Sequence, residues 1–462
     1  MSDARRHLPV VPTASSLNPD GSRNRVHPAD VSGRFVRWRY VVFAALVAIW
    51  AAAPWVRING RPAVFLDVAR RQFFLFGGAF NAQDVWLMFF VLTAIGLSLV
   101  AVTTTLGRVW CGWACPQTVF LEGMFRRIER WVEGPRNARL RRNAAPMSWD
   151  KAWRKGLKHA LFVLSALFVA HVFLSFFVSM PSMLEMMGRS PAEHPEAFGW
   201  VMVVSALLYG NFAFFREQLC LIVCPYGRLQ SVLTDEDSLV VGYDAVRGEP
   251  RGKPRDPDAG DCVDCKRCVV VCPTGIDIRN GLQLDCIGCT ACIDACDAVM
   301  DKLGRPRGLV RYDSMNGLRH RAKRVFRPRL LLYGGLILAW AVGAWAAFGA
   351  HTSFEANLLR LRGAPFHLVD DGEVVRNLFT VHLVNKADEA ATFRVEAADG
   401  SPGVATIEPA TRRVRALGDA DISVRVDVPR GDRAAGQQVR LRVSRDGEEP
   451  TVLEAPILGP AR

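Results

Sequence analysis

The twelve cysteines are the residues best suited to chemistry in this sequence, and all of them fall in patterns. Eight lie within Asp261–Asp297, DCVDCKRCVVVCPTGIDIRNGLQLDCIGCTACIDACD. That stretch reads C-x2-C-x2-C-x3-C-P at Cys262, Cys265, Cys268, Cys272 and Pro273. It then repeats C-x2-C-x2-C-x3-C at Cys286, Cys289, Cys292 and Cys296. Three cysteines spaced by two residues wrap one side of an iron–sulfur cube, and the fourth, three residues further on, turns toward the other cluster. The expected ligand sets are therefore Cys262, Cys265, Cys268 and Cys296 for one [4Fe–4S] cluster, and Cys286, Cys289, Cys292 and Cys272 for the other. Asp297 stands where the first repeat has Pro273, but that proline shapes a turn and supplies no ligand. Zinc ribbons use paired C-x2-C knuckles, not triplets. Disulfides do not suit the reducing compartment to which the flanking charge assigns this loop.

The other four cysteines also repeat. VWCGWACPQTVFLEGMF (109–125) and EQLCLIVCPYGRLQSVL (217–233) each contain C-x3-C-P, at Cys111, Cys115 and Pro116 and at Cys220, Cys224 and Pro225. An i,i+4 pair shares one helix face. Proline disfavours helical geometry at the residue before it and suits the first turn of the next helix. A bend is expected at Cys115 and at Cys224, each followed by an amphipathic helix at the membrane surface. Four thiols from two equivalent elements suit Cu(I), zinc or iron–sulfur iron. Dithiol–disulfide cycling, or plain packing of helix ends, fits the spacing as well. Arg108, Arg216 and Arg228 are expected to favour the thiolate form. His171 sits in the middle of an apolar run, where an ionisable side chain is a candidate ligand or proton relay; a hydrogen bond to a neighbouring helix is the plainer reading. His159 lies nearer the end of that run. Met180–Met187, MPSMLEMM, with His194 close by, offers thioether sulfur, although methionine at such spacing serves apolar packing more often.

These residues need elements to hold them, and hydropathy supplies the elements. Tyr40–Val56, Val85–Thr103, Ala160–Met180, Phe198–Phe215 and Leu330–Ala350 are apolar over the length of a bilayer core, about 20 residues, and Tyr40, Trp55, Trp86, Trp200 and Tyr333 sit near their ends. Lys+Arg total 58 against Asp+Glu 45, a net charge of +13, and the excess lies in the N-terminal segment, the second loop and the fourth loop. It therefore reads as topology and not as a nucleic-acid patch. Those three segments are expected in the cytoplasm, and everything after the fifth span outside it. Arg57, Arg61, Arg70 and Arg71 in the first loop run against that rule. The polar leader to Arg39 is too long for a cleaved signal, so the first span reads as a retained anchor. With half its residues hydrophobic, the chain is neither disordered nor of low complexity. After Ala350, short alternating runs at Leu378–Val384, Ala391–Ala397, Val404–Ile407, Ile422–Val428 and Val439–Val443 suggest a β-sandwich of immunoglobulin type.

The fold class is thus a polytopic α-helical membrane protein of five spans, with a cytoplasmic two-cluster ferredoxin-like domain and a C-terminal all-β immunoglobulin-like domain. The expected divisions are a disordered tail over 1–37, a four-span membrane domain over 38–215 and the second C-x3-C-P motif with an amphipathic linker over 216–260. The ferredoxin-like domain follows over 261–300, then a basic linker over 301–328, the fifth span over 329–350 and the outer β domain over 351–462.

VWCGWACPQTVFLEGMFRRIER, CLIVCPYGRLQS, the eight-cysteine stretch and RNLFTVHLVNK at Arg376–Lys386 together resemble the cytochrome c oxidase accessory protein family of the CcoG, FixG or RdxA type. The resemblance covers nearly the whole chain after residue 35. It implies a multi-pass protein of the bacterial inner membrane, with two [4Fe–4S] clusters on the ferredoxin cysteines. It also implies a one-electron oxidoreductase that reduces Cu(II) to Cu(I), with copper bound at Cys111, Cys115, Cys220 and Cys224, for assembly of a cbb-type oxidase. The implied partners are the bilayer, the oxidase assembly machinery, a copper-transporting ATPase and an external electron donor, since no flavin or nicotinamide fingerprint is present. A homodimer is left open, and nucleic acid is not expected. Two rival readings remain: a quinol-linked ferredoxin relay without copper chemistry, as in the membrane polyferredoxins of nitrate and nitrous-oxide respiration, and a non-enzymatic redox sensor or assembly scaffold.

Overall fold

Apolar length decides the first level of structure. A computed structural model describes residues 25–460, except 59, 82, 83, 325, 326, 350, 351, 388, 433, 435, 446 and 447. It holds five helices long and apolar enough to cross a membrane: α1 (Arg34–Ala52), α2 (Val85–Leu106), α7 (Trp149–Val178), α9 (Pro195–Gly210, continued by a π-helical turn to Phe215) and α15 (Pro328–Gly349). Phe89, Leu92 and Ile95 of α2 and Leu331, Leu338 and Trp345 of α15 are exposed. Helices apolar on their outward faces belong in lipid, where every backbone bond is satisfied within the segment. Trp340 donates to the Thr93 hydroxyl at 2.8 Å and so ties α15 to α2.

Between α1 and α2 lie short strands β1 (Arg57–Ile58), β2 (Arg61–Pro62), β3 (Val64–Asp67), β4 (Gln72–Leu75) and β5 (Gly78–Phe80). After α2 come α3 (Val109–Trp113), α4 (Pro116–Phe120), a π-helical turn over Leu121–Phe125, α5 (Arg126–Glu133) and α6 (Arg136–Ala144). α8 (Met180–Met187) joins α7 to α9, and α10 (Pro225–Leu233) follows a π-helical turn over Leu219–Val223.

Two helices start before the apolar run that hydropathy marks, because polar groups cap their first turns. α7 begins at Trp149, well before Ala160, with the Ser148 hydroxyl accepting from the Lys151 N–H at 3.3 Å. α1 begins at Arg34, and residues 25–33, assigned by composition to a disordered tail, are held without regular structure. The Ala29 N–H donates to Val270 O at 2.9 Å, and Arg139 donates to Pro28 O at 3.0 Å. The Phe35 and Val36 N–H groups donate to the Asp294 carboxylate at 3.2 and 2.7 Å. Free N–H groups at a helix start favour a carboxylate. Residues 1–24 of the expected tail lie outside the described residues.

The cysteine-rich body extends beyond 261–300, because its sheet comes from flanking sequence. β6 (Val240–Tyr243) pairs antiparallel with β7 (Val310–Asp313), in register Val240↔Asp313. α11 (Ala245–Gly248), α12 (Arg267–Val270), α13 (Ala291–Leu303) and α14 (Met315–Leu318) complete it. Val241, Ile276, Ile278, Ile293, Met300 and Leu309 pack with the cysteines in its core.

The chain divides into two compact units: one up to Phe65 together with Phe89–Val342, the other Leu66–Met88 together with the chain from Gly343 on. Beside the antiparallel β4–β5 ladder, the second unit has two larger antiparallel sheets after Gly343. One has the order β12 (Val404–Glu408), β14 (Asp419–Pro429), β10 (Val374–Asn385), β8 (Phe354–Arg360), with β9 (His367–Val369) also on β10. The other has the order β13 (Thr411–Val414), β11 (Ala391–Ala397), β15 (Gln438–Arg445), β16 (Thr451–Pro456). All five alternating runs are strands. RNLFTVHLVNK lies along β10, where Val375, Asn377, Phe379, Val381 and Leu383 point into the core. Asn377 accepts from the Leu458 N–H and donates to its carbonyl, both at 2.9 Å. Lys386 reaches Asp84 at 2.6 Å. The motif is therefore architectural.

In the first unit, α5 faces α7 and α9 with charge, not grease. Glu129 is 2 % exposed and accepts from Arg216 and from Arg139 (3.4 Å), with Lys158 at 3.9 Å; Glu133 meets Lys155 at 2.9 Å and Lys158 at 3.1 Å. Burial opposes ionisation of Glu129, but Arg216, Lys158 and Arg139 outweigh it and hold the carboxyl at about 2. Removing one member of such a set strands the others. Glu129→Gln is expected to destabilise the protein by about 3 kcal/mol. Because the folded pKa lies below the ordinary 4.5, Glu129 contributes stability above that value and loses it as pH falls toward about 2. Thermal unfolding in detergent from neutral pH downward should show this acid loss in the wild type and a flatter profile in Glu129→Gln.

Candidate metal centres

The backbone repeats with the cysteines. The residues two and four places after Cys262 are Asp264 (φ 48°) and Lys266 (φ 56°); those two and four places after Cys286 are Gly288 (φ 67°) and Thr290 (φ 65°). Left-handed geometry is unusual outside glycine. Here it recurs at equivalent positions of two motifs and coils each loop around its thiols. Backbone N–H groups face the sulfurs: those of Thr274 and Ile276 at Cys272, Gly288 at Cys286 and Ala291 at Cys289.

The thiols surround two adjoining cavities. One, of about 370 Å³, is lined by Cys262, Cys265, Cys268 and Cys296. The other, of about 340 Å³, is lined by Cys272, Cys286, Cys289 and Cys292, with Cys268 between the two. Each cavity thus gathers the four cysteines that the spacing assigned to one cluster. α13 carries Cys292 and Cys296 one turn apart, one to each cavity. Asp297, in place of a proline, anchors the following turn by accepting from the Gly308 N–H at 3.0 Å. Sulfur donors, apolar walls and inward N–H groups fit one [4Fe–4S] cluster per cavity. Burial pushes the Cys268 and Cys289 thiols up to about 11 and Cys296 up to about 12, so iron binding must displace thiol protons. Arg279 lines the first cavity and lowers Cys268. It is buried and held by Asp277 (2.6 and 2.8 Å) and Asp264. Sequence reasoning missed it, and its only local signal is the pair Asp277 and Arg279 in the insert.

The second thiol group forms at two matching bends. Cys115 (φ −60°, ψ 126°) and Cys224 (φ −69°, ψ 112°) are extended, and Pro116 and Pro225 open α4 and α10. The Cys115 N–H donates to Trp110 O and the Cys224 N–H to Leu219 O, each at 2.8 Å. The four thiols lie within electrostatic reach of one another. Gln230 donates to Cys111 Sγ at 3.0 Å. A Cβ on Gly227 would come within 2.6 Å of Cys220 O, so glycine lets α10 close on that residue. The expected depression of the thiols is not found. Burial pushes Cys111 and Cys220 up to about 12 and raises Cys115. At Cys111 the Gln230 donation and then Arg108 act against burial without overcoming it, and Arg216 is engaged by Glu129 and Ala213 O.

The two thiol groups are joined by backbone. Arg108 donates to Leu284 O and, at 2.7 Å, to Cys286 O. Trp113 donates to the Tyr312 hydroxyl at 3.1 Å, which donates to Gly288 O at 3.0 Å. A Cβ on Gly112 would stand 2.7 Å from both Ile287 O and Gly288 O. The element carrying Cys111 and Cys115 thus rests on the loop carrying Cys286 and Cys289. His171 Nδ1 meets Leu167 O of its own helix at 2.7 Å, where a bond to a neighbouring helix was expected; His159 meets the Tyr209 hydroxyl at 3.0 Å. Met180 and Met183 are buried in packing, and His194 stands at the N-cap of α9.

Comparison with known proteins matches this layout. A "4Fe-4S dicluster domain" model covers residues 215–315, a "4Fe-4S binding domain" model covers 85–135, and the "IG-like fold at C-terminal of FixG" model covers 345–458. "Nitrogen fixation protein FixG" of Rhizobium meliloti is 37 % identical over 417 residues, which is 80 % of this chain and 78 % of that protein. "Protein RdxA" and "Protein RdxB" of Cereibacter sphaeroides are 35 % and 38 % identical, covering 83 % and 81 % of this chain and 84 % and 82 % of theirs.

The cavity assignments predict selective losses. Cys265→Ser should remove about half the bound iron and leave the cluster signal of the second cavity; Cys289→Ser should do the reverse, as read by iron content and low-temperature EPR of anaerobically prepared protein. Gly112→Ala should separate α3 from the 284–289 loop, perturbing the Cys289-dependent signal and leaving the Cys265-dependent one unchanged.

Proposed function

The chain belongs to the FixG family of iron–sulfur electron-transfer proteins, and from that premise we propose that it reduces Cu(II) to Cu(I) for assembly of a cbb-type haem–copper oxidase. The observation that carries this reading is the seating of the Cys111–Cys115 bend on the Leu284–Cys289 loop, which brings a soft sulfur site against one of the two cluster cradles. When loaded, the eight ferredoxin cysteines hold carriers of single electrons. One electron from an external donor converts one Cu(II) to Cu(I), and the donor is oxidised by one electron. Cys265 is exposed, so the donor is assigned to the first cavity's side and copper to the second's. Thiolates favour Cu(I) over Cu(II), so Cys111, Cys115, Cys220 and Cys224 stabilise the product. Thiolate ligation releases the protons of these half-buried thiols to solvent as copper binds, and the Gln230 N–H steadies the resulting Cys111 thiolate. The basic second and fourth loops support a cytoplasmic iron–sulfur body in a bacterial inner membrane, with the β unit on the periplasmic side.

A second reading rests on a specific observation. The "4Fe-4S binding domain" match over 85–135 includes Cys111 and Cys115 and none of the eight ferredoxin cysteines. Four thiols are also what a further cubane requires.

One experiment separates the two. Anaerobically reduced, iron-replete protein is mixed with Cu(II), and Cu(I) is followed with a specific chelator. About eight irons per chain, and a Cu(I) yield that falls more than about tenfold when Cys111, Cys115, Cys220 and Cys224 are all changed to Ser, are the expected results. An unchanged yield in that variant rejects the copper site. About twelve irons, falling to about eight in the variant, establishes the third cluster.

A further inference from the structure

A partly open cavity lies beside the second cluster's cradle, against Val271, Pro273 and Ala291. Five guanidinium groups line it: Arg39, Arg126, Arg127, Arg130 and Arg139. The carboxylates lining it are Asp30 and Glu122, which leaves an excess of three positive charges. Both carboxylates are engaged, Asp30 by Arg130 at 3.2 Å and Glu122 by Arg126.

Three of the arginines are more than nine-tenths buried, with exposures of 3 % for Arg39, 7 % for Arg126 and 3 % for Arg139, and each keeps a buried donor without an acceptor. Arg39 gives Nε to Gly112 O at 2.7 Å and lies over the Phe43 ring, while its Nη2 has no partner. Arg126 spends its Nη groups on Glu122, Glu217 and Pro273 O, while its Nε has none. Arg139 spends its Nη groups on Glu129 and Pro28 O, and its Nε is likewise without a partner. Buried charged donors are normally satisfied, and leaving them unmet is costly. Three orphan N–H groups around one strongly positive cavity are what an anion with several oxygens completes. Planar guanidinium forks match phosphate oxygens in particular.

We infer that this cavity binds an oxyanion of the phosphate class, apart from both thiol sites. Two sources share that chemistry: the headgroup of an anionic phospholipid and a soluble phosphate. The cavity borders the first turns of α1, a candidate span, and Arg127 lies 3.8 Å above the Tyr40 ring, an arrangement common at a lipid interface.

The test uses the full chain in nanodiscs. In discs of zwitterionic lipid, inorganic phosphate is titrated by calorimetry. In a second arm, native mass spectrometry scores phosphatidylglycerol retained from mixed-lipid discs. The double variant Arg127→Gln/Arg130→Gln leaves the three buried arginines intact, and Arg141→Gln on exposed α6 is the control. Saturable binding of at least one probe is expected in the wild type and the control, weakened at least about tenfold in the double variant, with iron content and melting temperature unchanged. Phosphate binding identifies the soluble source, and retained phosphatidylglycerol alone identifies the lipid. Absence of saturable binding of both probes, or equal binding by the double variant, overturns the inference.

Discussion

The structure depends on a meeting of two backbones. α3 lies so close to the loop at Ile287 and Gly288 that the contact admits no side chain at Gly112. Two polypeptide surfaces can approach in this way only if their polar groups are matched, and Arg108, Trp113 and Tyr312 do the matching. The glycine, the tyrosine and the arginine make sense together as the parts of that one close contact.

The second constraint is charge at the edge of the lipid. α5 presents Glu129 and Glu133 to basic residues of α6, α7 and the turn after α9. In a low-dielectric setting such groups are held by mutual pairing or not at all. The network fixes helix positions more sharply than apolar packing would, because a charge displaced from its partner is far more costly than a displaced methyl group. It also commits Arg216, the arginine nearest in sequence to Cys220, to Glu129.

Local pattern made much of this legible in the sequence. Cysteine spacing separated the two groups of thiols that line the two cavities, alternation located β10, β11, β12, β14 and β15, and hydropathy found five long apolar helices. What escaped was set by contacts between distant residues. The heads of α1 and α7 look polar and unstructured until Asp294 and Glu133 are placed beside them. Glu129 and Glu133, one turn apart among arginines, carry no local sign of burial, yet both are buried. Asp264, Lys266 and Thr290 gave no cue to left-handed backbone, since turn geometry is usually signalled by glycine. The thiol acidity was misjudged because neighbouring arginines are visible in sequence and burial is not.

The cap on α1 carries a consequence for biosynthesis. The N–H groups at the head of the first membrane helix are satisfied by a carboxylate 258 residues further along the chain. A ribosome delivers that helix before it delivers Asp294, so this cap cannot form until α13, the helix presenting Cys292 and Cys296, has been made.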